Sequence, residues 1–392
     1  MNWVIPEKPP WKTVEWIQSP TWTSISATSA PVISYTNKWS HISDETMAKM
    51  KETIERLDQA KRWELAKKMA NPYELVYTHN DENFPKSICL VSPLSRSFFK
   101  MVEILHVCSF FKEQPAKLIS AHVAEGPGGF IQALYELSEK NKKKIVGSVA
   151  MTLKPVNPQI PGWKKSYKFI TKYKQLLIHY GSDGTGDIYS PENQRSYISE
   201  VAKIGEAHLF TADGGFDFSD DYTLQEMQIF HLLLSSATIG LRVLRVGGHF
   251  VLKLFDCMSP HTKLFLVLLS RCFQKWTLYK PAMTRPCNSE RYFIGVSLRQ
   301  NIRIILDMLT QMEIQAAKGN FPDVADLSSS EEIAYLERHI RQSNEVQIRH
   351  IENAIYFANN PDVWQKECLN DVLRKSYEWC EFFGVYAKPK SG

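Results

Sequence analysis

Seven residues, Ala124 to Phe130, constrain this chain more than any other feature. They read "AEGPGGF", follow the short apolar run "KLISAHVAE", and open "IQALYELSEK", a segment of helical period. A strand turning over glycines into a helix is the building step of an α/β sheet. Glycines let a backbone approach a ligand closely, and open α/β sheets bind ligands at the carboxyl ends of their strands. The loop lacks the G-x-G-x-x-G spacing of a dinucleotide site and the Gly-Lys-Ser/Thr ending of a P-loop, so neither NAD nor ATP is indicated. Read alone, a tight structural turn explains it nearly as well.

The alternation continues downstream. "KKIVGSVAM", "AHLFTAD" and "GGHFVLKLF" read as strands, the last two separated by a long apolar helix from Leu224 to Arg245. "PHTKLFLVLLSRCF" reads as a helix, and "KWTLYKP" and "RYFIGVSL" as closing strands. Strands alternating with helices predict an α/β fold with a mostly parallel sheet covered on both faces. The two closing strands lie too near each other for a helical crossover, which predicts an antiparallel edge. Around this core the pattern predicts an extended N-terminal arm (1–42), a helical N-terminal region (43–92, one helix from an N-cap at Ser43 to Met69), the α/β domain (93–299), and a helical C-terminal extension without strands (300–392).

Composition excludes several classes. Hydrophobic residues make up 44% and charged residues 23% of 392, which suits an ordered globular chain. Seven scattered cysteines form no C-x-x-C pair, and an odd count does not suit a secreted disulfide framework. Neither do they show ligand-like spacing with the eleven histidines, so no metal is expected, and a reducing intracellular compartment fits best. Met1 to Pro10 has no apolar signal-peptide core, and charge interrupts every apolar stretch, so a soluble protein without a membrane span is expected. The formal charge of +5 does not by itself indicate nucleic acid. Local clusters say more. Lys142, Lys143 and Lys144 form one. Lys164, Lys165, Lys168, Lys172 and Lys174, interleaved with Trp163, Tyr167, Phe169 and Tyr173, form another. Basic residues among aromatics suit a phosphate backbone and stacked bases, and equally a solvated helix face.

Beyond these readings, "NPYE", "SRSFFKMVEI", "AEGPGGF", "MTLK", "GDI" with "PEN", "TADGGF", "LQE", "GGHFVLKLFD" and "TRPCNSERY" occur in fixed order from Asn71 to Leu298. Together they resemble the FtsJ-like methyltransferases, and within them the cap-specific mRNA nucleoside-2′-O-methyltransferases of cells and large DNA viruses. An acidic residue before a Gly-x-Gly-Gly turn is also common in enzymes that use S-adenosylmethionine. The resemblance implies a Rossmann-like sheet, S-adenosylmethionine as cofactor, and the 5′ end of capped mRNA as partner, with transcription or capping machinery beyond it. It implies a location in the nucleus, the cytoplasm or a viral replication site. It also implies a Lys-Asp-Lys-Glu tetrad, whose members fall by motif on Lys100, Asp213, Lys253 and Glu290.

The residues themselves bear on that set. Lys253 lies in an apolar strand, where an ammonium is costly unless paired, and Asp213 ends the neighbouring one. A lysine acts as a base only with a lowered pKa. Burial, a second ammonium at Lys100 and a cofactor sulfonium would lower it, with Asp213 and Glu290 moderating the shift. Cofactor contacts implied by resemblance are Ala124, Glu125, Gly126, Pro127, Gly128, Gly129 and Phe130, with Asp187 and Ile188 at the adenine end; an Asx-turn is the alternative for Asp187. Met151 and Thr152 stand where nucleotide-binding sheets place an acidic ribose ligand, and here threonine replaces it. Substrate contacts so implied are Thr223, Leu224, Gln225 and Asn288, which also read as a helix N-terminus and a turn residue. Arg96, Lys67 and Lys68 are further candidates for phosphate or cap. A ribosomal or transfer RNA 2′-O-methyltransferase and a non-catalytic RNA-binding subunit remain as alternatives.

Overall fold

The computed structural model of the protein describes Trp3 and residues 5–19, 33–40, 45–79, 82–156, 162–215, 225–324 and 331–389. The N-terminal part contributes β1 (Ile17–Gln18), β2 (Tyr35–Thr36), α1 (Glu45–Gln59) and α2 (Trp63–Met69). Ser43, the expected N-cap, lies outside the described residues, and the expected single helix is two, parted at Lys61 in the left-handed region (φ 55°).

The central part follows as α3 (Ser97–Val107), α4 (Phe110–Glu113), β3 (Lys117–Val123), α5 (Gly129–Lys140), β4 (Lys144–Met151), α6 (Tyr167–Lys172) and β5 (Leu176–His179). It continues with α7 (Pro191–Ile204), β6 (Ala207–Ala212), α8 (Gln225–Val243), β7 (Leu244–Leu254), α9 (Pro260–Arg271), β8 (Phe273–Tyr279) and β9 (Arg291–Leu298). Last come α10 (Arg303–Ala316), β10 (Phe321–Pro322), α11 (Glu331–Asn359), α12 (Pro361–Val363) and α13 (Leu369–Phe383).

Eight strands form one sheet in the order β1-β8-β9-β7-β6-β3-β4-β5. From β7 to β5 every pairing is parallel; β9 runs antiparallel to β7 and β8, and β1 antiparallel to β8. The fold is thus α/β, mostly parallel with an antiparallel edge, as the alternation predicts. Alternate residues along each strand feed two cores. Val149, Met151, Phe210, Ala212 and Phe293 pack with α7, α8, α9, α10 and α11. Ala150, Leu209, Tyr292 and Ile294 pack with α3, α5 and α13. Both faces are covered, which is why β6 is buried at all six positions and reads as a continuous apolar run.

Three features depart from the expectation. Strand β5 was not legible, because "LLIH" is short, half-exposed and has no alternation of its own. Helix α7 announces itself locally, since Ser190 Oγ accepts from Asn193 N and Pro191 occupies the first turn. The region after residue 300 is not purely helical: β10 pairs with β2, and Trp39 packs against Phe321 and His261.

Strand β3 lies between β6 and β4, so successive connections leave it toward opposite sides of the sheet. This is the switch point of a doubly wound sheet, where the carboxyl ends of the strands open a crevice. Ala124, Thr152, Gly181 and Asp213 are the first residues or nearly so after β3, β4, β5 and β6, and all stand at that end.

Candidate active site

The register of β6, β7 and β9 builds the centre. Ala212 faces Leu252 across the β6–β7 pair, so Asp213, one step on, comes beside Lys253. Lys253 in turn faces Tyr292 across β7–β9, and Glu290 sits two residues before that tyrosine. Lys253 Nζ donates to the Asp213 carbonyl at 2.7 Å and lies 3.3 Å from its carboxylate. Lys100, from α3 on the neighbouring layer, donates to Glu290 Oε1 at 2.6 Å. Thr284 Oγ1 donates to the same oxygen at 3.0 Å. The Tyr292 hydroxyl lies 2.9 Å from Asp213 Oδ1 and 3.1 Å from Glu290 Oε1, so its single proton is shared between the two ion pairs. The four tetrad positions therefore form one hydrogen-bonded cluster. Tyr292 and Thr284 join it although neither was singled out from the sequence. The only sequence signal for Tyr292 is its place two residues after Glu290, on the same face of the strand.

The charges are matched. Burial alone would lower the pKa of Lys253, but the Asp213 and Glu290 carboxylates outweigh it and hold the ammonium above its ordinary range. Burial works the other way on Glu290, and Lys100 and Lys253 overcome it, taking its pKa down to about 2. The expectation of a lowered lysine pKa is thus reversed in the chain alone. Two carboxylates next to one ammonium exceed the cost of its burial.

The loop Ala124 to Phe130 forms the adjoining wall. Gly128 has φ 97°, and a side chain there would meet the Trp163 ring at 3.2 Å. A Cβ on Gly129 would come within 2.3 Å of Ser95 Oγ and Ser97 Oγ, so glycine lets the start of α5 close onto the start of α3. Glu125 is only 3% exposed. Its Oε1 accepts from Thr211 Oγ1, while Oε2 has no hydrogen-bond partner among the described residues. Burial first, then the Asp213 carboxylate, raise its pKa well above the carboxylate range.

Asp187 and Ile188 stand on the loop after β5. Asp187 Oδ1 accepts from Tyr189 N at 2.8 Å, the turn geometry that was its alternative reading, and Ile188 is buried. Asn193 organises this loop from α7. Its Oδ1 accepts from the backbone of Ser182 and Asp183, and its Nδ2 donates to the Asp187 carbonyl. Lys154 N donates to Thr185 O, which brings the loop against the segment after Thr152.

A cleft beside the tetrad is lined by Tyr77, His79, Arg96, Lys100, Arg285 and Asn288, with Glu290 at its inner end. Asn288 is exposed there on a turn. Thr223 and Leu224 lie outside the described residues, and Gln225 begins α8. Arg96 is not a free phosphate ligand. It pairs with buried Glu74 at 3.1 Å and donates to the carbonyls of Tyr77 and Met283. Lys67 pairs with Glu64, and Lys68 is buried with its ammonium over Phe84. In the basic, aromatic segment the aromatics are mostly packed, while Lys164, Lys165, Lys168, Lys172 and Lys174 are all exposed. Trp163 packs on Gly128, Phe169 and Tyr173 pack on Tyr135, and of the four aromatics only Tyr167 is well exposed. All seven cysteines are buried free thiols. Among the described residues no group of three or more His, Cys, Asp or Glu is placed to hold a metal, and no helix is long and apolar enough to cross a membrane.

A doubly wound sheet with a glycine loop at its switch point and a charge-paired Lys-Asp-Lys-Glu cluster beside it defines a Rossmann-like α/β domain of the methyltransferase kind. Comparison with known proteins gives the particular family: residues 93–298, more than half of the chain, match the FtsJ-like methyltransferases, and the chain belongs to that family. It is 33% identical over 258 residues to cap-specific mRNA (nucleoside-2′-O-)-methyltransferase 1 of Xenopus laevis, covering 60% of this chain and 28% of that protein. The human protein of that name is 35% identical over 212 residues, covering 52% of this chain and 24% of its own. That of Trypanosoma brucei brucei is 35% identical over 177 residues, covering 44% and 45%. The chain spans less than half the length of each of these relatives.

Proposed function

We propose that the chain methylates the 2′-hydroxyl of a ribose next to the 5′ cap of mRNA, drawing the methyl from S-adenosylmethionine, with Lys253 as the group that takes the hydroxyl proton. The observation that carries this reading is the single hydrogen-bonded cluster of Lys100, Asp213, Lys253 and Glu290 beside the glycine loop. The site suits such a cofactor on its own geometry. Gly128 and Gly129 pack against Trp163, Ser95 and Ser97, so the support comes from Glu125, which presents a buried carboxyl oxygen that nothing in the described chain engages. Ala124 to Phe130, with Asp187 and Ile188, are the residues that would hold it. When bound, S-adenosylmethionine supplies an electrophilic methyl on a positively charged sulfur.

The chain's own part is orientation and proton handling. Lys253 Nζ already spends two N–H groups on the carbonyl and carboxylate of Asp213. A neutral amine keeps both bonds and leaves its lone pair as the remaining tetrahedral direction, so losing a proton does not disturb its placement. Glu290 and Lys100 hold the far side of the cluster, and Tyr292 ties the two halves. Asn288 lines the cleft on the substrate side, with Thr223, Leu224 and Gln225 assigned to the same role by family resemblance. Fixing a hydroxyl against such a base contributes both proximity and general-base catalysis. The names of the relatives favour capped mRNA over ribosomal or transfer RNA as the substrate.

The test is to incubate the protein with S-adenosylmethionine and short RNA, capped or uncapped, and to map the added methyl by mass spectrometry. A methyl on a cap-proximal ribose of capped RNA only is expected. Lys253→Ala should lose about a thousandfold or more in turnover while binding the cofactor nearly as well. Equal methylation of uncapped RNA would refute cap specificity, and near-normal turnover by the variant would refute the role of Lys253.

A further inference from the structure

Glu125 is the buried acid of the cofactor loop that takes no part in the proton transfer proposed above. It stands at the turn of the glycine loop, and its two oxygens have different fates. Oε1 accepts from Thr211, whose hydroxyl oxygen lies 2.8 Å from His122 Nδ1. His122 Nε2 is 2.8 Å from Ser120 Oγ, which is 2.6 Å from Ser148 Oγ, and Tyr135 OH donates to Ser148 at 3.0 Å. Burial takes the His122 pKa down to about 3, so the imidazole is neutral and has one N–H. Donated in one direction, from Tyr135 toward Thr211, this chain gives every hydroxyl an acceptor and ends on Oε1. Oε1 is thereby an acceptor whether or not the carboxyl is ionised, which leaves Oε2 as the site of any proton.

The groups facing this carboxyl come from every neighbouring strand. Asp213, beyond β6, raises its pKa and Lys253, on β7, lowers it; His122 of β3 is neutral, and Tyr197 of α7, fully buried, is un-ionised. Lys100 and Glu290 form their own pair beyond Tyr292. Counting charges, the tetrad is neutral, two ammoniums against two carboxylates. An ionised Glu125 would add an uncompensated buried anion beside Asp213, and a sulfonium placed on the adjoining loop would remove that excess.

We propose that Glu125 gauges the charge of the ligand on its loop: it carries a proton while the site is empty or holds the neutral thioether product, and releases that proton to solvent when a sulfonium binds. The assignment rests on the cofactor reading above. It gives the site a means of telling substrate from product, two molecules that differ by one methyl and one positive charge. Only the O–H bond of Glu125 breaks, and nothing is oxidised or reduced. Binding that releases a proton strengthens as pH rises, by up to tenfold per pH unit between the carboxyl's ligand-bound and ligand-free pKa values. Binding of the neutral product does not change with pH in that window.

Isothermal titration of the full chain with S-adenosylmethionine and with S-adenosylhomocysteine, in buffers of different ionisation enthalpy from pH 6 to 8, reads the proton directly. About one proton released with the sulfonium and none with the thioether is expected. Glu125→Gln keeps an acceptor for Thr211 and should abolish the release. It should also flatten the pH dependence and weaken the sulfonium roughly tenfold or more relative to the thioether at pH 8. Lys253→Ala should retain the release, which separates Glu125 from the tetrad lysine as its source. Equal proton release with both ligands, no release in the unaltered protein, or release that survives Glu125→Gln overturns the inference while leaving the methyltransferase reading intact. Failure to bind either ligand overturns the cofactor reading and this inference with it.

Discussion

At the scale of single residues, the resting charge of Lys253 would set the pH behaviour of the proposed reaction. Its neighbouring carboxylates hold the ammonium above the ordinary lysine range, so a base at this position starts out protonated. The fraction able to accept a proton then grows as pH rises. At saturating S-adenosylmethionine, the plot of log kcat/KM for the RNA should climb with slope near one from about pH 6 to 9, because kcat/KM reports the enzyme before that substrate binds. A plateau near neutrality would exclude Lys253 as the base. Glu290, at about 2, stays ionised across this range and adds no acidic limb. Tyr292→Phe tests the bridge. The ring keeps its packing against Phe130 while the proton shared by Asp213 and Glu290 is lost. One hydrogen bond to charged groups corresponds to about 1.5–3 kcal/mol, so turnover should fall roughly ten- to a hundredfold with KM little changed. Full activity in steady-state kinetics would show that the bridge is dispensable.

Between elements, the cleft is held by a buried ion cluster. Glu74, fully buried before β3, receives Arg285 from the loop ahead of Glu290 at 2.9 Å and Arg96 from the start of α3 at 3.1 Å. Burial alone would raise the Glu74 pKa, but the two guanidinium groups hold it below the ordinary value. Its contribution to stability is therefore present above the ordinary carboxylate pKa and disappears as pH falls through the lower folded value. Glu74→Ala would leave Arg96 without a carboxylate and Arg285 with only the exposed Glu64, and should cost about 3–5 kcal/mol in urea unfolding at pH 7, with the two proteins converging in acid. An unchanged midpoint at pH 7 would contradict this account. The cluster also bears on Arg96 as a candidate for phosphate or cap. Arg96, exposed to view in the sequence as a basic residue beside a motif, is consumed by a glutamate 22 residues earlier in the chain, and linear spacing carries no sign of that.

Across the whole molecule, one carboxyl group ties the C-terminal helix α13 to the loop ahead of Glu290, beside the bonds that Gln347 and Asn344 of α11 make to Cys287 and Arg291. Glu103 of α3 has no exposed surface and accepts from Tyr279 OH, Ala282 N, Met283 N and Trp379 Nε1, which joins α3, the end of β8, the following loop and α13. Burial pushes its pKa up against the pull of those four donors, to about 7. A raised carboxyl pKa gives stability that is complete below the unfolded value and declines as pH rises through about 7. Thermal unfolding should show a loss of about 1–3 kcal/mol from pH 5 to 8, and Glu103→Gln should remove that slope. The same slope in the variant would assign it elsewhere. Trp379→Ala should cost about 3–5 kcal/mol and speed amide exchange at Ala282 and Met283, a coupling between α13 and the loop that packing alone would not produce.

Local sequence determined the strand runs of β3, β4, β6, β7, β8 and β9, the glycine turn, and the chemical types of the tetrad. These depend on periodicity and on residues that tolerate few neighbours, both written within a few positions of each other. It did not disclose β5, whose half-exposed residues carry no pattern, or Asn193, whose six bonds appear only when the loop after β5 folds back on α7. Tertiary structure alone decided which charges neutralise one another. Lys100 falls in the tetrad by resemblance alone, and only the packing of α3 brings it 2.6 Å from Glu290. Glu125 is a cofactor contact implied by resemblance, and only the packed sheet shows its carboxyl to be buried, with Thr211 of β6 donating to it. A buried charge is stable or costly according to partners that are distant in sequence, and only the packed sheet supplies those partners.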